Sequence, residues 1–384
     1  MSFTGKATYS AGATLPEIAE DVSDIVSIIS PYETPLLDYL GDSQRFATST
    51  VHEWLEDELL PNHDNIPSAQ TIGASTIGVD NVDRFRAGDL VQVDQSKEVM
   101  IVSSVTGSAI VVTRGYGGTT AAAITANSKI NILGNAALEG DAKPGARFTN
   151  RVRKTNYTQI FTSSVELSGS QLATNQIGLT DELDYLKSER LRELVRDLEN
   201  CVINGVSNAS MPEGSSSIRR TMRGIIPSIA SNIFAGGVDG FPSGEAGGQL
   251  TEEQVNHALR MVWEQSSGNI DTIVVNGYQK RRINSFITSS RSYDSQDVSY
   301  RDMVGLYESD FGICQVLVSR WVPSDTVLLL DRSRLNVLPL QGRSFHYKNL
   351  AATGDSHTGQ VIGEYTLELH NENAHGVIRG LATS

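Results

Sequence analysis

Apolar residues first recur regularly at Ile18, Val22, Ile25 and Ile29, four, three and four positions apart. That spacing lays one narrow apolar stripe along a short helix. Pro16 suits its first turn, and Ser30-Pro31 stops it. The opposite face carries Glu17, Glu20, Asp21 and Asp24. A helix this short is marginal alone in water, so its stripe must lie on its own domain or on a neighbouring subunit. Residues 1–14 read as a flexible arm before it. Thr34-Pro35-Leu36-Leu37 starts a second short helix, which Gly41 stops.

Further on the period shortens. Residues 48–57 alternate in places and read as extended, and the polar stretch Leu60 to Gly78, with two prolines, reads as a linker. Leu90-Val91-Gln92-Val93, Val99-Met100-Ile101-Val102, Ile110-Val111-Val112 and Ile130-Asn131-Ile132 are β-rich runs separated by Gly-containing turns. They predict a small β barrel or sandwich over 79–134, built from local hairpins. Residues 151–161 then resume an extended character and are expected to pair with 48–57, making the β module an insertion at the tip of two antiparallel strands.

The longest helix is predicted over 180–202. Thr180 is its N-cap, with Asp181 and Glu182 in its first turn. Leu183, Leu186, Leu191, Leu194, Leu198 and Val202 form its stripe, and Asn204-Gly205 ends it. At 1.5 Å per residue it spans roughly 30 Å, a strut across a domain. Residues 206–250 are rich in Gly and Ser and read as a long surface loop around the short apolar piece Gly224-Ile225-Ile226. Thr251-Glu252-Glu253-Gln254 fits a capping box, opening a helix that Gly268 ends. Ile270 to Val275 reads as a central strand, and Tyr278 to Ile287 as a helix. Strands follow at Ile313–Val318, Val327–Leu330, Leu335–Leu340, Gln360–Leu369 and Val377–Leu381. Along the fourth of these and just past it, Ile362, Glu364, Thr366, Glu368 and His370 alternate with Val361, Gly363, Tyr365, Leu367 and Leu369, so one face is apolar and the other is wet or meets a polar partner. The whole is an α+β chain.

Charge narrows the function. Forty-five acidic residues against 31 basic ones give a formal net charge of −14. Nucleic acid and anionic lipid repel such a chain at long range, which argues against a DNA-reading or membrane-surface protein. Met1 to Thr14 lacks the apolar core of a secretory signal, and no apolar run reaches the length of a membrane span, so neither is expected. Cys201 and Cys314 stand too far apart in sequence for a zinc motif and are too few for a disulfide framework; two reduced, buried thiols are expected.

Little in the chain points to chemistry. Arg114-Gly115-Tyr116-Gly117-Gly118-Thr119-Thr120 lacks the lysine and the strand-to-helix context of a phosphate loop, and reads as a turn. His52-Glu53 and His63-Asp64 lack the helical spacing that presents two imidazoles to one zinc. His346, His370 and His375 lie near the C-terminal strands, where hydrogen bonding explains them at less cost than a metal. Glu56-Asp57-Glu58 point alternately along an extended chain, and no Gly-x-Ser-x-Gly elbow occurs. No catalytic, cofactor-binding or metal-ligating residue is assigned. The basic clusters Arg219-Arg220-Thr221-Met222-Arg223 and Lys280-Arg281-Arg282 are expected to meet acidic patches on neighbouring subunits. The suspected intersubunit contacts are thus Ile18, Val22, Ile25, Ile29, Arg219, Arg220, Arg223, Arg281 and Arg282.

Several segments together resemble one family. Ser30-Pro31-Tyr32-Glu33-Thr34-Pro35-Leu36-Leu37 is similar to the N-terminal signature of a group of tailed-bacteriophage major capsid proteins. So are Thr155-Asn156-Tyr157-Thr158-Gln159-Ile160-Phe161 followed by Val165-Glu166-Leu167-Ser168-Gly169, and the helix ending Arg196-Asp197-Leu198-Glu199-Asn200. The ending Glu364-Tyr365-Thr366-Leu367-Glu368-Leu369, with Asn371-Glu372-Asn373-Ala374-His375-Gly376, also fits. The inserted β module resembles one that recurs in phage head proteins.

The resemblance implies an HK-ninety-seven-like capsid fold: an N-terminal arm over 1–47 and an extended loop over 48–165 carrying the β module 79–134. A peripheral domain over 166–222 would hold the spine helix 180–202, an axial domain would take 223–345, and 346–384 would supply strands that close the sheets. It implies a non-catalytic protein of the virion, made in the host bacterial cytoplasm. Its partners would be copies of itself in hexamers and pentamers, decoration or cement and portal proteins, and packaged double-stranded DNA without sequence-specific binding. No membrane is expected among them, and no cofactor. An encapsulin-type compartment is the rival with the same fold, and an enzyme or ligand-binding protein using the β module is the rival of another class.

Overall fold

The computed structural model describes residues 31–140, 147–173, 182–238, 240–244, 248–290, 305–351 and 354–383. The stripe Ile18, Val22, Ile25 and Ile29, like the cap Thr180, lies outside them. The chain divides into two compact units: Leu55–Arg153 is one, and Met1–Trp54 with Lys154–Ser384 is the other.

The first helix of the larger unit is α1 (Pro35–Leu40). Its N-cap, Thr34, makes no side-chain cap bond. The buried carboxylate of Glu199 caps it instead, accepting the N–H groups of Leu36 and Leu37, each at 3.2 Å. Strand β1 (Val51–Glu56) follows and leads to the smaller unit.

That unit is all β. Its strands are β2 (His63–Ile66), β3 (Thr76–Gly78), β4 (Asp89–Val93), β5 (Val99–Thr106), β6 (Ala109–Thr113) and β7 (Ser128–Asn135). They form one sheet in the order β2-β7-β4-β5-β6-β3. Beyond β3 the Asp80 N–H donates to the Asn65 carbonyl in β2, curling the row towards closure. Alternate side chains point inward, among them Ile66, Ile77, Val91, Val93, Met100, Val102, Ile110 and Ile130. The expected linker over 60–78 is corrected here, because β2 and β3 are both members of this sheet. Their brevity and polar outer faces hide them from a periodicity reading. Three buried carboxylates tie down the loops. Asp64 holds Asn81 and Arg84, Asp89 holds Arg86 and Asn135, and Glu98 holds Arg114.

The chain returns on β8 (Val152–Tyr157), which pairs with β1 as the extended segments led one to expect. β9 (Gln159–Ser168) continues into the larger unit, followed by α2 (Gly169–Ala173) and α3 (Glu182–Asn204). On α3 the buried face is Leu194, Leu198, Glu199, Val202 and Ile203. Leu191, expected in the stripe, is 39% exposed. The stretch expected to be a surface loop over 206–250 does more than that. α4 (Ile225–Ser228) brings Ile225 into the core beside Met222 and Ile229, and β10 (Ile233–Ala235) joins a sheet.

Helix α5 (Glu252–Gln265) opens on the expected capping box, with both Thr251–Gln254 bonds formed. It stops at Ser266, before Gly268. Gly268 has a packing role instead, since a Cβ there would sit 2.6 Å from the Ala374 methyl. β11 (Thr272–Val275) is buried throughout, and α6 (Gly277–Ser290) follows it. The remaining strands are β12 (Leu306–Ser309), β13 (Gly312–Val318), β14 (Val327–Leu330), β15 (Leu335–Pro339), β16 (His346–Asn349), β17 (Ser356–Leu369) and β18 (Gly376–Arg379).

One sheet runs β10-β18-β14-β11-β13-β12. Its central strand β11 feeds two cores by alternation. Ile273 and Val275 join the core of α5 and α6, while Val274 joins that of α3 and α4. A second sheet is built on β17, with β9 along one edge, and β16 then β15 along the other.

Candidate functional site

Strand β17 puts Glu364, Thr366 and Glu368 on one face, as the two-residue alternation requires. All three are buried, at 3%, 0% and 1% exposure. A carboxylate out of water must be paired and hydrogen-bonded, and each of these is. The polar partner that the sequence left open therefore comes from the same chain.

Glu364 is held by two arginines. Arg220 Nη2 lies 2.6 Å from its Oε1, and Arg343 Nε lies 2.8 Å from its Oε2. The Thr158 hydroxyl donates to Oε1 at 2.6 Å. Arg220 also donates through Nε to the Thr158 carbonyl at 2.6 Å. Thr366 donates to the Tyr157 carbonyl at 3.1 Å. Beside it, Asn156 donates to the carbonyls of Leu367 and Arg223. The β8–β9 junction is thus fixed between β17 and the 220–223 loop.

Glu368 binds the segment that precedes β1 and the start of β1 itself. Arg45 grips it in bidentate fashion, at 3.0 and 3.1 Å. His52 Nε2 and His370 Nε2 both approach its Oε1, at 3.4 and 3.2 Å. The Trp54 ring lies 5.8 Å from each imidazole. Burial raises the Glu368 carboxyl, but the His52 bond and the charges of His370 and Arg45 outweigh it, bringing it down to about 2. The carboxylate is the form that this arrangement holds.

The row joins six separated stretches of chain, at 45, 52, 157–158, 220, 343 and 364–370. Its chemistry is that of a mechanical fastening, because the carboxylate oxygens are already engaged. Among the described residues no group of three or more His, Cys, Asp or Glu is arranged to hold a metal ion. His375 is fully buried, pushed down to about 4 by burial, and accepts the Asp331 N–H through Nδ1 at 3.2 Å. His346 Nδ1 lies 2.7 Å from the Ser344 carbonyl. Arg114, next to the glycine-rich turn, is committed to Glu98 and to the carbonyls of Thr71, Ala74 and Ala122. Both cysteines are free thiols, and burial pushes Cys314 up to about 11.

The basic residues suspected of reaching neighbours divide. Arg220 serves Glu364 within the same subunit, because β17 buries a carboxylate that needs it. Arg223 donates to the Pro227 carbonyl, and Arg282 to that of Leu250 at 3.4 Å. Arg281 is exposed on α6. Arg219 is exposed beside an open depression of about 530 Å³ lined by Val206, Asn208, Ser217 and Thr221. The sequence reading missed Arg45, His52, Thr158 and Arg343 as partners of β17. Its one usable signal was the alternating acid row itself. No helix among the described residues is long and apolar enough to cross a membrane.

A model of the SU10 major capsid protein family matches residues 3–382. The major capsid protein of Pseudomonas phage PaMx41 is 27% identical over 128 residues, 33% of this chain and 31% of that protein, so the match spans under a third of that relative. Three solved structures share the fold. The capsid of the native GTA particle superposes with a TM-score of 0.52 at 8% identity, covering 98% of this chain and 99% of that one. Microbacterium phage Oxtober96 gives 0.51 at 13% identity, covering 94% and 96%. The capsid of Myoviridae phage XM1 gives 0.51 at 8% identity, covering 96% and 99%. At these identities the likeness is one of fold, the HK-ninety-seven-like arrangement of mixed helix and sheet. The match of the family model runs through both units, and the chain belongs to the SU10 major capsid protein family.

Proposed function

We propose that this chain is the shell-forming subunit of a tailed-phage head, assembling with its own copies into hexamers and pentamers that close an icosahedral shell around double-stranded DNA. The observation that carries this is the family match across residues 3–382. It favours a phage capsid over an encapsulin-type compartment. The subunit's role is mechanical rather than catalytic. Large apolar side chains left in water support the reading. Leu59, Phe148 and Leu138 of the smaller unit are 93%, 82% and 78% exposed, and Trp263, Leu306 and Ile313 of the larger are 61%, 61% and 60% exposed. Where such side chains gather into a contiguous patch, that patch marks a place where another surface docks.

In this reading residues 1–47 form the N-terminal arm and 48–165 an extended loop that carries the β unit. Residues 166–222 and 223–345 form peripheral and axial domains, and 346–384 close the sheets. The stripe Ile18, Val22, Ile25 and Ile29 lies on a neighbouring subunit, and Arg219 and Arg281 face acidic patches there. Many weak contacts, multiplied by closed symmetry, give a stable shell from reversible parts. The net charge of −14 limits adhesion of the wall to DNA. Decoration and portal proteins are the further partners, and the bacterial cytoplasm is the site of synthesis.

Electron microscopy of the purified chain tests this. Closed shells are expected from the wild type, and unassembled but folded subunits from Ile25→Asp/Ile29→Asp. A wild-type chain that stays monomeric at high concentration and beside phage head proteins would refute the reading. Normal shells from the double variant would remove the stripe from the interface.

A further inference from the structure

We propose that the β12–β13 turn of one copy docks on the first half of α6 of the next copy, with Asp310 and Glu308 facing Arg281, and the Trp263–Phe311 pair receiving the Tyr278 and Arg281 side chains. The contact names the acidic patch that Arg281 faces, and so rests on the shell reading above.

The turn, Asp310-Phe311, joins two strands at the edge of their sheet. Trp263 on α5 is 61% exposed, and its ring lies 5.9 Å from that of Phe311. A narrow cleft runs beside the pair, lined also by Leu259, Ile270 and Cys314. Charge says what docks there. Asp310 sits in the turn, and Glu308 lies across the hairpin from the exposed Ile313. Both carboxylates are exposed, and neither has a cation partner among the described residues. Glu252 and Asp310 both raise the Tyr307 hydroxyl through their charge, so both stand near this edge. On α5 the charge of Arg260 is offset by Glu264 at 3.7 Å. Such an edge attracts a basic surface and repels an acidic one. That disfavours the N-terminal stripe as its occupant, because Glu17, Glu20, Asp21 and Asp24 travel with the stripe.

Helix α6 supplies the complement. It contains Lys280, Arg281 and Arg282 and no acidic residue. Arg282 reaches the Leu250 carbonyl, whereas Arg281 is exposed and has no partner among the described residues. Tyr278 stands three positions before Arg281, on the same side of the helix. Tyrosine and arginine are residue types that anchor interfaces, and a guanidinium can stack on an indole face. Within one copy the two surfaces lie apart. β11 and β13 run parallel, the turn precedes β13, and α6 follows the far end of β11. The contact is therefore head to tail between copies, the kind that closes rings when the rotation allows.

Shell yield of full-length chains, read by electron microscopy and sedimentation, tests this. Arg281→Glu and Asp310→Arg are each expected to lower the yield at least about tenfold, because each sets like charges against one another. Both positions are exposed, so the melting temperature of the unassembled subunit is expected to stay at the wild-type value. Glu308→Arg takes the place of Asp310→Arg should the latter melt early. The double variant Arg281→Glu/Asp310→Arg restores opposite charges and is expected to recover most of the yield. Wild-type yield from both single variants would overturn the contact and leave the shell reading standing. So would a folded double variant that assembles no better than the single ones. Rescue of Asp310→Arg by Arg219→Glu, and not by Arg281→Glu, would also overturn it by giving the patch another occupant. A wild-type chain that forms no shells would remove the shell reading and this contact with it.

Discussion

Arg220 and Glu364, 144 positions apart in sequence, meet at 2.6 Å on the buried face of β17. The contact bears on one member of the basic cluster 219–223. One of its arginines belongs to the fold, and a neighbour cannot use its charge without stripping a partner from a carboxylate that is 3% exposed.

Arg220→Leu is therefore expected to destabilise the isolated subunit by about 2–4 kcal/mol, the scale of breaking a buried pair, moderated because Arg343 remains. Denaturant unfolding of Arg220→Leu, Glu364→Leu and the double variant would measure the coupling. Purely additive losses would mean that the two residues do not act together. An effect seen only in assembled particles would return Arg220 to the interface.

Glu199 ties α1 to α3, and burial pushes its carboxyl up to about 7, against the pull of the Leu37 and Leu36 N–H groups and the Ser319 hydroxyl. Its ordinary value is 4.5, so the folded chain binds this proton more tightly than the unfolded one. The stability it contributes is complete below 4.5 and is lost as pH rises through about 7. Glu199→Gln is expected to remove this part of the fall, since the amide oxygen still accepts the α1 N–H groups. Urea unfolding across that window reads it, and parallel curves for parent and variant would contradict it. Glu199→Ala is expected to cost about 1–2 kcal/mol through loss of the cap.

On β17, Gly363 lets the Phe345 ring lie against the strand; a Cβ there would fall 2.4 Å from its Cδ1. Phe345 in turn packs on Tyr365 and Phe161, with ring centroids 4.8 and 6.4 Å away. Gly363→Ala is expected to destabilise by about 1–3 kcal/mol through overpacking. Thermal unfolding checks this, and coupling it with Phe345→Ala should relieve part of the loss. An unchanged melting temperature would show that the ring can move aside at no cost.

Much of this was legible in the residues. Thr251 and Gln254 announce a helix start because a capping box is closed within four residues. Ile273, Val274 and Val275 announce a strand buried on both faces because nothing polar interrupts them. The ends of α1 and α3 follow from Gly41 and Gly205. The short strands 63–66 and 76–78 were not legible, because three or four residues carry too little periodicity. Gly268 looked like a helix stop; its real reason, the methyl of Ala374, lies 106 positions further along the chain.

The sequence by itself determined the elements whose signals are local: amphipathic stripes, caps, turns and the alternation that placed Glu364, Thr366 and Glu368 on one face. It also carried, in the order of its segments, the likeness to a capsid family. The tertiary structure alone decided what that acidic face meets. Burial of two carboxylates is tolerable only where cations and hydrogen-bonding groups are brought to them, and Arg45, His52, Arg220 and Arg343 come from stretches of chain with no local mark of that purpose. Pairing across such distances depends on how β9, β15 and β17 align, which no window along the chain contains.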